Sequence, residues 1–333
     1  MILVTGGAGY IGSHTVVELL NNGYEVVIAD NLCNSSHEVL SRIEVITGKT
    51  FNFENIDLSD RDQVFNSLNK YPITGIIHFA AYKAVGESVS NPEKYYFNNI
   101  TSLLNTIALG ESMNITNFIF SSSATVYGIP KSSPIPESHP VLQTNTPYGT
   151  TKIMGEKIIM DVALTSKVNY CLLRYFNPIG AHHSGLIGDN PNGTPNNLMP
   201  YITRVAVGEL KALSVFGNDY ATIDGTCVRD YIHVVDIAKG HLKALNYTTS
   251  PNTPAIFNLG TGHGTSVLEL IKTFQEVNGV NIEYKYTKRR DGDIDSMFAS
   301  AELAAEKLNW KAELTLKDMV KSSWIFQKNS KHE

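Results

Sequence analysis

Ile2-Leu3-Val4-Thr5-Gly6-Gly7-Ala8-Gly9-Tyr10-Ile11-Gly12 is the stretch that decides how the rest of the chain folds. A short apolar run passes directly into glycines at 6, 9 and 12, and a helical pattern follows at Ile11, Val16, Leu19 and Leu20. Strand, glycine turn and helix in that order aim backbone amides and a helix N-terminus at a pyrophosphate. Alone, such a turn can equally do no more than join a strand to a helix. The next apolar run, 25–29, reads as a second strand and ends in Asp30. An acid at that strand end accepts both ribose hydroxyls of an adenosine and repels a 2′-phosphate, so the combined pattern predicts NAD rather than NADP.

Alternation of strands and helices continues outward from this start. Residues 51–56 read as a third strand ending at Asp57-Leu58, a position suited to an adenine contact. Residues 76–81 read as a fourth, nearly all apolar, as a strand covered on both faces is. A helix is expected over 92–111, carrying Asn98 and Asn99. Phe118-Ile119-Phe120 then runs into Ser121-Ser122-Ser123. Ligands of open α/β sheets bind beyond the carboxyl ends of strands, so Ser123 points at the site unless the serines only cap a turn. Residues 168–176 make a sixth strand.

After Asn177-Pro178 the periodicity is lost in a stretch rich in glycine, proline and asparagine, 179–197. The expected fold is therefore α/β: a Rossmann-type doubly wound parallel sheet in residues 1–177, with a smaller α/β substrate-binding lobe mainly in 178–333. Segments near 232–260 are expected to return to the first domain. In the second lobe we expect a helix over 198–210, strands over 213–216, 231–234 and 281–286, a helix over 235–247, and a strand over 255–259. Ser266 is placed to cap a further helix, and the polar tail, 327–333, is expected to fray.

Pro147-Tyr148-Gly149-Thr150-Thr151-Lys152 carries the chemistry. Proline suits the first helical turn, and Tyr148 and Lys152, four residues apart, share one helix face. A phenol with a pKa of about 10 is a poor base at neutral pH, and a nearby cation is expected to draw it down. The same spacing also occurs by chance on exposed helix turns.

Bulk composition narrows the function classes. The 333 residues are 42% hydrophobic and 18% charged, with a net charge of −5. That balance, with no basic run, argues against nucleic acid or an acidic membrane surface as partner. No apolar run reaches the roughly 18 residues of a membrane span, and a strand starting at Ile2 leaves no room for a signal peptide. Cys33, Cys171 and Cys227, odd in number and scattered, read as reduced thiols of a cytoplasmic protein. The ten histidines include the pair His182-His183 but show no zinc-ligand spacing, and no metal is expected.

The glycine turn, the Ser123 strand end and Tyr-xxx-Lys in that order resemble the extended short-chain dehydrogenase/reductase superfamily. Within it, FIFSSSATVYG (118–128), PYGTTK (147–152), LLRYFNPIGAHHSG (172–185), NNLMPYI (196–202), VFGNDY (215–220), VRDYIHV (228–234) and FNLGTG (257–262) are similar to the UDP-glucose 4-epimerase family over nearly the whole chain. Dehydratases of this fold carry an acidic pair after the serine; here those positions are Ala124 and Thr125, which disfavours elimination.

The resemblance implies a C4 epimerisation of UDP-galactose and UDP-glucose in galactose metabolism, through a 4-keto sugar, by a cytoplasmic homodimer that keeps NAD tightly bound. Tyr148 would take the sugar O4 proton, Ser123 would hydrogen-bond that oxygen, and Lys152 would lower the tyrosine's pKa and hold the nicotinamide ribose. NAD contacts are implied at Gly6, Gly9, Tyr10, Ile11 and Gly12, and at Asp30, Asn31, Leu32, Cys33, Asn34 and Ser35. Asp57, Leu58, Phe79, Ala80, Ala81, Lys83, Asn98 and Phe176 complete that set. UDP-sugar contacts are implied at Asn177, Asn197, Leu198, Val215, Phe216, Arg229, Arg290 and Asp293. From the residues alone, Arg229 and Arg290 can bind phosphate bidentately or pair with adjacent Asp230 and Asp291.

Three positions depart from the family. Met297 stands where size governs whether N-acetylated sugars fit, and methionine leaves that open. Ser300 replaces a commonly acidic residue, and Cys227 a small one. The alternatives are a UDP-N-acetylhexosamine epimerase, a net NAD-dependent oxidoreductase with exchangeable cofactor, or a non-catalytic NAD sensor, which would tend to lack the Tyr148–Lys152 pair.

Overall fold

In the computed structural model, which describes residues 1–333 apart from 192, 194, 196, 248–251, 291 and 331–333, strands and helices alternate from the start. The strands are β1 (Ile2–Thr5), β2 (Val26–Asp30), β3 (Asn52–Asn55), β4 (Gly75–His78), β5 (Asn117–Ser123) and β6 (Asn169–Tyr175). Between them lie α1 (Tyr10–Asn21), α2 (His37–Thr47), α3 (Arg61–Leu68), α4 (Val85–Ser90), α5 (Pro92–Ser112) and α6 (Pro147–Ala163). Every residue of β1 and β4 is buried, which is why both read as continuous apolar runs.

The chain then leaves through β7 (Asn177–Ile179), α7 (Leu198–Ala206), β8 (Leu213–Phe216), β9 (Val228–Arg229), β10 (Tyr231–His233) and α8 (Val234–Leu245). It returns as β11 (Ala255–Leu259) and finishes with β12 (Thr265–Ser266), α9 (Val267–Asn278), β13 (Tyr284–Thr287), β14 (Ser296–Met297), α10 (Glu302–Leu308) and α11 (Leu316–Asn329). The central sheet has seven strands in the order β3-β2-β1-β4-β5-β6-β11, all parallel. It is a Rossmann-type doubly wound sheet whose seventh strand comes from between two excursions of the chain into the second lobe.

Alternation along β1 sorts the two faces of the sheet. Val4, with Ile28, Ile77 and Ile119, packs against Val16, Val17 and Leu19 of α1 and Ile237 of α8. Leu3, with Val27, Ile76 and Phe118, packs against Val64, Leu103, Ile107 and Ile159 of α3, α5 and α6. The second lobe has its own core, where Val215 meets Ile202, Phe274 and Val320. A small cluster of Ala124, Val126, Tyr127, Ile135, Phe176 and Ala299 lies where the β5 and β6 ends meet the later chain.

Several boundaries differ from the sequence expectation for local reasons. β4 stops at His78, because Phe79 and Ala80 turn their amides back to Thr5. Helix α7 ends at Ala206, where Gly208 closes the turn onto Val205. Strand β13 begins at Tyr284 rather than 281. Ser266 caps α9 with a full capping box shared with Glu269. The polar tail stays helical through Asn329; 331–333 lie outside the described residues. No helix among the described residues is long and apolar enough to cross a membrane.

Candidate active site

Helix α6 brings the chemistry together because its start is fixed twice. Pro147 occupies the first turn, and the Thr146 hydroxyl accepts from the Gly149 amide at 3.3 Å. Gly155 allows the helix to press onto β5, since a Cβ there would meet Phe120 Cζ at 2.7 Å. Tyr148, half-buried, and Lys152, buried, then lie over the β5 end. The Tyr148 phenol lies beside Ser123, whose hydroxyl accepts from the Thr125 amide at 3.3 Å. Lys152 Nζ donates to the Ser121 carbonyl at 2.6 Å and sits 6.0 Å from the centre of the tyrosine ring.

The electrostatics correct one expectation. Burial pushes the Tyr148 phenol up to about 12, with only the Ser123 hydrogen bond opposing it, and burial lowers Lys152 to about 8. The spacing predicted a phenol drawn below its ordinary value. Desolvation wins because the ammonium is turned to a backbone carbonyl, not to the phenol oxygen. A further positive charge beside the ring would have to make the tyrosine a base.

The implied NAD contacts are drawn together at the carboxyl ends of β1, β2 and β4. Gly6 adopts a left-handed backbone, φ +67°, and a Cβ there would meet the Ala80 amide at 2.8 Å. This absence of a side chain sets the 6–12 loop against Phe79, Ala80 and Ala81. Helix α1 begins after Gly9 with no side-chain cap, so its first amides are open to a pyrophosphate near Tyr10, Ile11 and Gly12. At the end of β2, Asp30 accepts from the Ala8 amide at 3.0 Å and the Leu32 amide at 2.9 Å. Leu32 has φ 57°, which curls 31–35, including Asn31, Cys33, Asn34 and Ser35, around the acid. The donor set and the glycine cradle fit NAD.

More peripheral members are placed less evenly. Asp57 accepts from the Ser59 amide and hydroxyl, each at 2.8 Å, while Leu58 is buried in the core. Asn98 donates to Asn99 at 3.0 Å. Phe176 is buried beside Ala124 and Tyr127. Lys83 reaches over the Tyr10 ring at 5.8 Å and toward Asp189 at 3.6 Å.

A second group gathers on the short strands of the second lobe. Arg229 Nη2 lies 3.5 Å from Asp293 Oδ1, and Arg290 Nε 3.0 Å from Asp293 Oδ2. The Arg290 guanidinium stacks 4.7 Å over Phe216. The pairing of Arg229 with Asp230 does not form. Asp230 is fully buried and instead accepts from Thr261, Gly262 and Ala299. Asp291 lies outside the described residues. Asn177 opens β7, its amide donating to the Asp230 carbonyl at 2.9 Å, one residue from Arg229. Asn197 caps the start of α7 beside Leu198 and donates to Asp189 at 3.2 Å. The Val215 side chain is 1% exposed and belongs to the lobe's core, so only its backbone can face a ligand.

Met297 pairs in register with Arg229 and packs against the cluster containing Ala124 and Phe176, which links the arginines to the Ser123 end. Ser300 uses its main chain on Ile135 and Asn258, and nothing explains its hydroxyl. Cys227 is buried; all three cysteines are free thiols.

Three residues have roles that the sequence did not reveal. Asn99 accepts from the Tyr82 amide at 2.8 Å and donates to Thr151 at 3.0 Å, tying the segment after β4 to α6. Asp189 joins Lys83 to Asn197. Thr125 Oγ1 is buried next to Ser123 without a partner, suited to a sugar hydroxyl. The sequence showed Asn99 in the doubled asparagine and Thr125 as a non-acidic position, with neither role legible, and gave no trace of Asp189.

Comparisons with known proteins agree with this geometry. Residues 2–260 match the NAD dependent epimerase/dehydratase family. The UDP-glucose 4-epimerase of Haemophilus influenzae is 54% identical over 330 residues, covering 99% of this chain and 98% of that one. The crystal structure of UDP-glucose-4-epimerase from Stenotrophomonas maltophila, with bound NAD and formylated UDP-arabinopyranose, superposes with a TM-score of 0.96 at 46% identity, over 99% of this chain and 98% of that one. The Bifidobacterium longum enzyme, in complex with NAD+ and UDP, gives 0.95 at 49% identity over the same shares.

Proposed function

The chain belongs to the NAD dependent epimerase/dehydratase family, and on that premise we propose that it is a UDP-glucose 4-epimerase, interconverting UDP-galactose and UDP-glucose through a 4-keto sugar with NAD retained. The observation that carries this is the grouping of half-buried Ser123 and Tyr148 with buried Lys152 at the β5 end, followed by Ala124 and Thr125 where a dehydratase needs acids.

Bound in its oxidised form, NAD supplies a hydride acceptor for C4 and a positive charge. That charge is what the phenol requires, because burial alone holds Tyr148 up to about 12. Tyr148 takes the O4 proton, with Ser123 hydrogen-bonded to the same oxygen, and holds it at the phenol. Lys152 keeps a cation beside the ring while anchored on the Ser121 carbonyl. Arg229 and Arg290 bind the diphosphate, and Asp293, which already joins them, accepts the uridine ribose hydroxyls. Tight holding of the nucleotide and few contacts on the hexose let the ketone turn over before the proton and hydride return on its other face.

In this assignment residues 1–177, with 232–260, hold NAD, and 178–333 mainly hold the UDP-sugar. The protein works as a cytoplasmic homodimer in galactose metabolism. Purified protein given UDP-galactose without added NAD is expected to form UDP-glucose, and to release nicotinamide on denaturation. No conversion and no nicotinamide would defeat the assignment; conversion only with added NAD would favour a net oxidoreductase.

A further inference from the structure

Helix α6 presents a third ionisable residue on the face that carries Tyr148 and Lys152. Glu156 stands one further turn along, 4% exposed. Its carboxylate is held by three bonds. Ser122 Oγ donates to Oε1 at 2.5 Å, Arg174 Nε to Oε1 at 2.9 Å and Arg174 Nη2 to Oε2 at 2.6 Å. Ser122 and Arg174 are register partners on β5 and β6, so both reach the same face of the sheet. Ser122 sits between Ser121, whose carbonyl holds Lys152, and Ser123, which lies beside Tyr148.

We propose that Glu156 is a positioning residue for the reaction: its carboxylate, shared by Ser122 and Arg174, locks α6 onto the β5 and β6 ends and supplies the negative charge that keeps Lys152 cationic. A buried ion pair kept only for stability can be replaced by apolar groups at little cost, and that contrast makes the idea testable. The inference rests on the epimerase assignment.

The surroundings of Lys152 leave that charge to Glu156. From β4 comes His78, neutral because burial lowers it to about 3. From β6 come Arg174, which is cationic, and Tyr175, whose phenol burial raises. Tyr127, after β5, is likewise held up to about 12. Helix α5 contributes Asn99, and Glu87 of α4 is turned to Lys94 and Tyr95. Glu156 is the partner that raises Lys152 against its burial.

The test compares Glu156→Gln with the parent enzyme in kcat and KM for UDP-galactose across pH. Glu156→Gln removes the carboxylate that raises Lys152 and leaves the Arg174 charge uncompensated, so the alkaline fall of kcat is expected at lower pH, with kcat down roughly tenfold near pH 8. KM and nicotinamide content should hold. An alkaline limb that stays in place overturns the proposal, whatever happens to kcat. Should Glu156→Gln not fold, the double variant Glu156→Leu/Arg174→Met decides. It is expected to keep the parent's melting temperature yet show a lower kcat and a smaller downward shift of the limb. Parent kcat and an unmoved limb in that variant also overturn it. Absence of conversion by the parent enzyme would count against the epimerase assignment alone.

Discussion

Lys152 and Arg290 are both cations of the proposed site, yet Lys152 is 6% exposed and the Arg290 side chain 57%. The first sits among parallel strands and one close-packed helix, on a backbone carbonyl. The second rides on a loop after β13, stacked on Phe216 and paired with an acid. Charge at the reacting end is desolvated and fixed before any substrate arrives, which is where electrostatic preorganisation has most effect. Charge at the nucleotide end stays hydrated and mutually compensated, so exchanging Asp293 for a phosphate has a modest cost. A catalyst that must hold UDP firmly while its sugar turns can use both arrangements.

Breaking the buried end should give the largest effect. Tyr148→Phe is expected to lower kcat by about 10³-fold while calorimetry finds UDP binding unchanged; full activity would remove the tyrosine from its proposed role. At the exposed end, Arg290→Met keeps a side chain over Phe216 but loses the guanidinium. UDP should bind roughly 10- to 100-fold more weakly, with kcat at saturation nearly preserved. A kcat loss at saturation as large as that of Tyr148→Phe would erase the distinction between the two ends.

A gentler probe uses pH. Lys152 is charged below about 8 and loses its proton above, so kcat should fall on the alkaline side by about tenfold per unit. The affinity for UDP, set by the arginines of the other end, should stay flat through the same range. Parallel curves for both quantities would argue against assigning the limb to Lys152.

The parallel sheet was legible because its central strands β1 and β4 are buried on both faces and its first turn carries a glycine with a steric reason. The Tyr148–Lys152 pair was legible as a spacing, but its electrostatics were not. Whether an ammonium meets a phenol or a carbonyl depends on how closely Gly155 lets α6 approach Phe120, a tertiary fact. The arginines were visible as residues and ambiguous as partners. Adjacent Asp230 was the obvious mate for Arg229, yet it points inward to Thr261 and Gly262. The two- and three-residue strands β7, β9, β12 and β14 are too short to show any period. They are also what brings Asn177, Arg229 and Met297 into one neighbourhood. Asp189 sits in a stretch with no pattern at all, and only its bonds to Lys83 and Asn197 reveal it.

The seventh strand bears on how the protein is made. β11 pairs from Ala255 to Leu259 with Cys171 to Tyr175 of β6, so during synthesis the β6 edge must wait, with its hydrogen-bonding groups bare, until residues 177–254 and β11 itself have been made. A bare, apolar strand edge recruits other chains. A chain truncated shortly after Phe176 should therefore aggregate or be held by chaperones once released, even though it contains every residue of the glycine loop and of the tyrosine–lysine helix.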